Sequence, residues 1–237
     1  MGNTSTRAET KSSRESASTE SVGFNQKTFE ELYVKSDFKG AASYLIQNKQ
    51  QLNSGIFHYN LGTVYSKLND LPAARFHLEK AIKEGFVTSS SVNNLNFVNI
   101  KLQVDDLSTS SNFYDQCINS TLALPGSAYL SFSLIIAISS AFILKSKKSV
   151  TKTGIAVALF LTMTPLAFYQ FYLGNINYAI ALKDVPVYEG PSKIFHEKGV
   201  VHAGSKIILG EFKEGWFFIK NPISLSGWVS KEQLGLY

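Results

Sequence analysis

Cysteine is almost absent from this sequence: among 237 residues there is one, Cys117. A lone thiol cannot close an internal disulfide, and no Cys/His spacing resembles a metal site. Histidine is scarce too. His58, His77, His196 and His202 are the four, and none stands at metal-pair spacing with another ligand on a helix face. His58 falls where a helix would pack, so it reads as core. Cys117 has no histidine near it in sequence. No G-x-S-x-G, P-loop or H-E-x-x-H run occurs. The sequence therefore offers no catalytic residue, no metal ligand and no cofactor site, and an enzyme is not expected. Charge is lean, 17% against 44% hydrophobic. Lys and Arg are not spread along a face with interleaved aromatics, which argues against nucleic acid as a partner.

Strongly apolar residues are missing from residues 1–23, apart from Val22. Ser, Thr, Glu, Lys and Arg dominate there. Such a segment cannot bury enough surface to offset its ordering entropy, so disorder is expected. It holds no apolar h-region and is not a signal peptide as written. Met1-Gly2 with Thr6 fits a myristoylation pattern, but that pattern is short and common.

From Phe24 to Leu107 the period becomes helical. The clearest stretch is Ile56 to Gly85. Leu61, Gly62 and Tyr65 share one helix face, and Ala74, Leu78 and Ala81 share the next. Asn69-Asp70-Leu71-Pro72 separates them. Pro72 suits a first helical turn and Gly85 a C-terminal cap. One repeat earlier, Leu32, Asp37-Phe38, Ala41 and Leu45 align at an offset of 33 residues. A partial third copy starts at Val92-Asn93-Asn94-Leu95. These positions resemble the tetratricopeptide repeat, a helix-turn-helix of roughly 34 residues, with His58 where that family usually has Trp. About two and a half repeats are marginal without a partner or the membrane segments.

Residues 108–125 are rich in Ser, Asn and Thr, end in Pro125-Gly126, and read as a linker. Gly126 to Leu144 and Thr153 to Gly174 are uncharged apolar runs. At about 1.5 Å per residue each approaches the thickness of a bilayer core. Pro165 is expected to kink the second, and Tyr169, Phe171 and Tyr172 fit an interfacial aromatic belt. The short connection, residues 145–152, makes the spans a hairpin with both ends on one side. It carries Lys145, Lys147, Lys148 and Lys152, while the near flanks hold only Lys183. The positive-inside rule places this loop in the cytoplasm and both flanking modules outside it. Export of the N-terminal part would need a signal peptide, so either the true start lies upstream of Met1, which is the expectation, or the topology is inverted.

Residues 175–237 alternate as short strands, with turn residues every 8–12 positions, as in a small barrel. Val187-Tyr188-Glu189-Gly190-Pro191-Ser192, Ala203-Gly204-Ser205-Lys206-Ile207, Glu214-Gly215-Trp216 and Gly227-Trp228-Val229 follow in order. This set resembles a bacterial SH3 domain. The expected fold is thus a multidomain membrane protein: an all-α tetratricopeptide-like repeat, two transmembrane helices, then a small all-β SH3-like barrel.

That order of parts resembles the BatE aerotolerance family, whose repeat region is matched by Tyr59-Asn60-Leu61-Gly62 and Asn94-Leu95-Asn96-Phe97. The resemblance implies a two-pass bacterial inner-membrane protein with both soluble modules periplasmic. It implies von Willebrand A proteins as partners and, across the membrane, a MoxR-type ATPase. The missing signal peptide departs from the family.

Two functions remain open. As a scaffold, the protein would dock partner proteins on the concave face of the repeats, through Tyr59, Asn60, Thr63 and Ser66, with Asn93 and Asn94 from the next copy. An Asn side chain can satisfy both the N–H and the C=O of an extended peptide, though Asn60 could equally bond its neighbouring helix. As a wall sensor or anchor, it would bind peptidoglycan peptides in a groove of Tyr188, Trp216 and Trp228. Both tryptophans could instead be core, and for Trp216 that is the expectation. An aromatic or acidic groove on the barrel would favour the sensor, and a bland barrel beside a polar repeat face the scaffold.

Overall fold

The computed structural model describes residues 24–124, 126–146 and 151–237. The polar segment 1–23, Pro125, Lys147 and Lys148 lie outside these described residues. Among them the chain forms eight α-helices followed by one antiparallel seven-stranded sheet.

Five helices come first: α1 (Gln26–Val34), α2 (Phe38–Gln47), α3 (Ser54–Lys67), α4 (Leu71–Lys83) and α5 (Ser89–Leu102). Each packs on its neighbour in sequence. Polar caps set their starts. Asp37 accepts the Gly40 N–H at 2.9 Å and Asp70 the Ala73 N–H at 3.2 Å; Thr88 and Ser91 form a capping box. The turns before α2 and α4 are copies 33 residues apart. Ser36 and Asn69 are both left-handed at φ 60°. Asp37 N–H reaches Leu32 O at 2.9 Å, and Asp70 N–H reaches Tyr65 O at 3.0 Å. Between α3 and α4, Gly62 lets the backbones meet: a Cβ there would lie 2.8 Å from Leu78 Cγ and 3.1 Å from Ala74 O. Ala41, Leu45, Leu61, Val64, Ala74, Leu78 and Val98 fill the cores of this stack.

A third turn begins alike, with Gln103 left-handed at φ 48°, but no second helix of that copy follows. Asp106 instead turns into the sheet. The linker expected over 108–125 holds α6 (Phe113–Ala123), capped by Asn112. Its polar composition has no apolar period, which hid it. What fixes it is Asp115, fully buried, whose carboxylate accepts from Asn221 Nδ2 at 2.6 Å and from the Ile223 N–H at 3.3 Å.

Helices α7 (Gly126–Ser146) and α8 (Lys152–Ala167) pair as a hairpin, and α8 runs on through a π turn and a 3-10 turn to Asn175. The apolar runs are slightly longer than expected, 126–146 and 152–175. Both are long and apolar enough to cross a membrane, with mean hydropathy 2.0 and 1.5. Core helices of that length hide their side chains, whereas only 11% and 0% of these windows are buried.

The strands are β1 (Asn177–Ala181), β2 (Val185–Tyr188), β3 (Glu197–Val201), β4 (Lys206–Lys213), β5 (Trp216–Asn221), β6 (Gly227–Ser230) and β7 (Leu234–Leu236). Their order is β3-β2-β6-β5-β4-β1-β7. All seven give residues to a single core that includes Ala179, Val187, Val201, Ile207, Ile219, Val229 and Leu234, so the sheet curls around it. Strand β1 is buried on its outer face as well, Ile180 being fully buried, because α4 packs on it.

Candidate peptide-docking faces

Two surfaces carry the residues singled out above, and a buried polar joint fixes one against the other. The joint grows from α4. Arg75, 2% exposed, pairs with Asp106 at 2.5 Å and donates to Gly204 O at 2.9 Å. Asp106 also accepts the Lys206 N–H at 3.0 Å, and Lys206 Nζ meets Glu79 at 2.7 Å. Burial pushes the Glu79 carboxyl up, but Lys206 and Arg75 outweigh it and hold the group below its usual range. Gly204, at φ 91°, admits Leu102 so closely that a Cβ would lie 2.5 Å from Leu102 Cδ2. Phe76 packs on Tyr237 with centroids 5.8 Å apart. None of these pairings was visible in the sequence, because their members are far apart along it, Arg75 and Gly204 by 129 residues.

On the sheet, register places three aromatics in a row: Tyr188 lies opposite Trp228, and Trp228 opposite Phe218. Strand alternation adds Trp216, two residues before Phe218. The rings touch edge to face, Phe218 with Trp228 at 5.6 Å and Tyr188 with Trp216 at 5.5 Å. All four are half-buried. The opposite face of the same strands, Val187, Phe217, Ile219 and Val229, fills the core. The expectation of Trp216 as core is therefore corrected. The unbroken run Trp216-Phe217-Phe218-Ile219 conceals its period of two, and Phe218 was missed for the same reason.

On the helices, Asn94 Nδ2 donates to Thr63 Oγ1 at 3.1 Å, and Thr63 Oγ1 donates to Tyr59 O at 2.9 Å. Tyr59 packs on Phe86 at 4.9 Å. Thr63, Asn94 and Tyr59 are thus engaged within the fold. Asn60 and Ser66 are half-buried and Asn93 is exposed, and none of the three has a side-chain hydrogen bond among the described residues. Asn94 and Phe97 share a helix flank, so the α3-facing edge of α5 presents Phe97, 50% exposed. In the sequence Phe97 belongs only to the repeat pattern, and its exposure shows only in the structure.

One pair lies outside both faces. His58 Nδ1 and His77 Nδ1 are 2.7 Å apart, with rings stacked at 5.0 Å. Burial first, then the Lys80 charge, lowers His58 to about 4; burial and then His58 lower His77 to about 3. His58 is core, as expected. Its partner was predictable: an antiparallel hairpin that sets Gly62 against Ala74 also sets residue 58 against residue 77. Among the described residues no group of three or more His, Cys, Asp or Glu side chains could hold a metal ion.

Compared with known proteins, this chain matches no family model, no curated protein and no solved structure.

Proposed function

We propose that this protein is a two-pass inner-membrane sensor or anchor that captures extended peptides on the aromatic face of its sheet. The helical stack is read as tetratricopeptide-like and the sheet as an SH3-like barrel, both on the periplasmic side, with the lysine-rich loop in the cytoplasm. The copied turns at Ser36-Asp37 and Asn69-Asp70 support the first reading, and the lysine asymmetry supports the topology. One observation carries the function: Tyr188, Trp228 and Phe218 stand side by side across three strands, with Trp216 next to them and their backs to a filled core. Rings locked edge to face offer a rigid apolar trough at small entropic cost, as peptide grooves do. Peptidoglycan stem peptides are the ligand class favoured by such a module in the periplasm. The role is docking, with no chemical step.

The chain has two tryptophans, and both are on this face. Intrinsic fluorescence of the detergent-solubilised full chain therefore reports the site directly. Titration with soluble muropeptides is expected to give a saturable change. Tyr188→Ala should weaken it by about thirtyfold, the scale of an aromatic hot spot. Tyr59→Ala with Asn60→Ala should leave it unchanged.

A second reading is favoured by the exposed Phe97 and Asn93 beside Asn60 and Ser66. There the repeats dock a von Willebrand A domain. A flat muropeptide titration, with capture of a purified von Willebrand A domain that fails in the Tyr59→Ala, Asn60→Ala protein, would replace the first reading by this one.

A further inference from the structure

Two cavities follow one another along the end of the second apolar helix. The larger one, about 460 Å³, is lined by Tyr129, Phe132 and Ile135 of α7 and by Thr164, Pro165 and Phe168. That is the size of a small-molecule site, and it lies within the apolar hairpin. The smaller and more enclosed one, about 210 Å³, lies where the helix gives way to the sheet; its walls include Ile118 of α6, Tyr172, Asn175, Ile208 and Lys220. The two are joined by a stack. Phe168 lines the first and Tyr172 the second, and their rings lie 5.2 Å apart at 18°.

The chemistry changes along this path. The lower cavity is apolar. The upper one adds two residues with polar ends, Tyr172 and the exposed Lys220. Among the described residues no carboxylate lies within ion-pair distance of Lys220. The acid behind this pocket, Asp115, accepts from Asn221 Nδ2, the Ile223 N–H and Ser110 Oγ, so its oxygens are turned to those donors. An apolar slot beneath an unpaired cation at the end of a span matches a molecule with a long apolar tail and an anionic head.

We propose that one anionic phospholipid is held here, an acyl chain along the Pro165 slot and the phosphate at Lys220, tying the sheet to the bilayer surface. This rests on the reading that α7 and α8 cross a membrane. The test is native mass spectrometry of the full chain in mild detergent. It would be incubated in turn with phosphatidylglycerol, phosphatidylcholine and free glycerol phosphate. One phosphatidylglycerol should be retained in preference to phosphatidylcholine. Lys220→Ala should reduce that retention about fivefold, the effect of one lysine at an anionic surface. Lys193→Ala, in an exposed loop, should not change it. Equal retention of the two lipids, or full retention in Lys220→Ala, would overturn the proposal. Displacement of the lipid by glycerol phosphate would overturn it in favour of a soluble phosphate ligand. Alkaline carbonate extraction separates this from the anchor reading. Wild-type protein that stays in the membrane pellet without lipid selectivity removes only the lipid site, while its release into the supernatant removes the anchor and the site together.

Discussion

Replacing Arg75 by Met removes the one cation among the described residues that touches the Asp106 carboxylate. The structure sets the size of the effect. Both side chains are withdrawn from water, at 2% and 0% exposure, and are 2.5 Å apart. Asp106 would keep the N–H and hydroxyl of Ser108 at 2.7 and 2.6 Å and the Lys206 N–H at 3.0 Å, but it would carry an uncompensated buried charge. Stranding one member of such a pair costs about 3–5 kcal/mol. Total stabilities are only about 5–15 kcal/mol, so this is a large share. The sign of a second change is sharper still. Adding Asp106→Asn to Arg75→Met removes the stranded charge, so the double variant should be more stable than Arg75→Met alone. Urea melts of the solubilised full chain can be followed by tryptophan fluorescence, which reports the sheet, and by far-ultraviolet circular dichroism, which reports mainly the helices. In the wild type the soluble parts should unfold together; in Arg75→Met the two signals should separate. A loss below about 1 kcal/mol with coincident signals, or a double variant weaker than the single, would refute the claim that this pair joins the two modules.

Gly62→Leu should destabilise the helical stack by about 1–3 kcal/mol or more, because its Cβ alone would meet Leu78 and the Ala74 carbonyl; an unshifted urea midpoint would count against the tight α3–α4 contact. Acid should weaken the fold through His58 and His77. Their folded values, about 4 and about 3, lie below the ordinary 6.5, so their contribution is complete above about pH 6.5 and is lost as pH falls toward those values. His77→Gln should flatten that slope, and a melt independent of pH between about 7 and 5 would contradict it. In a Cys117→Ser background, Asn60→Cys and Ser230→Cys should react with an impermeant maleimide from the periplasmic side and Lys148→Cys should not; labelling at position 148 alone would invert the topology.

Apart from α6, the helices were legible because their signals are local. Gly62, Ala74 and Leu78 sit at contact spacings, Asp37 and Asp70 precede helix starts, and two long uncharged apolar runs are joined by a lysine-rich loop. The strand order of the sheet was not legible, since pairings such as β1 with β7 depend on closure in space. The aromatic face was half legible. Tyr188 and Trp228 stood out by type, but the direction of Trp216 and the presence of Phe218 needed the phase of β5. Least legible was the joint. Arg75 reads as an ordinary polar residue on α4, and Asp105-Asp106 as a loop. Only when the sheet arrives do Gly204 and Lys206 give those charges a reason to be buried. The sequence pointed to a partner or the membrane segments as support for so short a helical stack; in the structure the sheet packs on α4 instead.

The diversion at Asp106 also constrains how such a chain can change its length. Asp37 and Asp70 each spend a carboxylate on the first N–H groups of the next helix; Asp106, at the third turn, spends its own on the N–H of Lys206, the first residue of a strand. The same device that lets the series continue has been used to end it. A duplicated helix pair inserted after α5 would have to displace Arg75, Leu102 and the whole sheet. One inserted ahead of α3 would meet only a further copy of the turn that is already there. Growth of this architecture by duplication is therefore open at its N-terminal end and closed at the other.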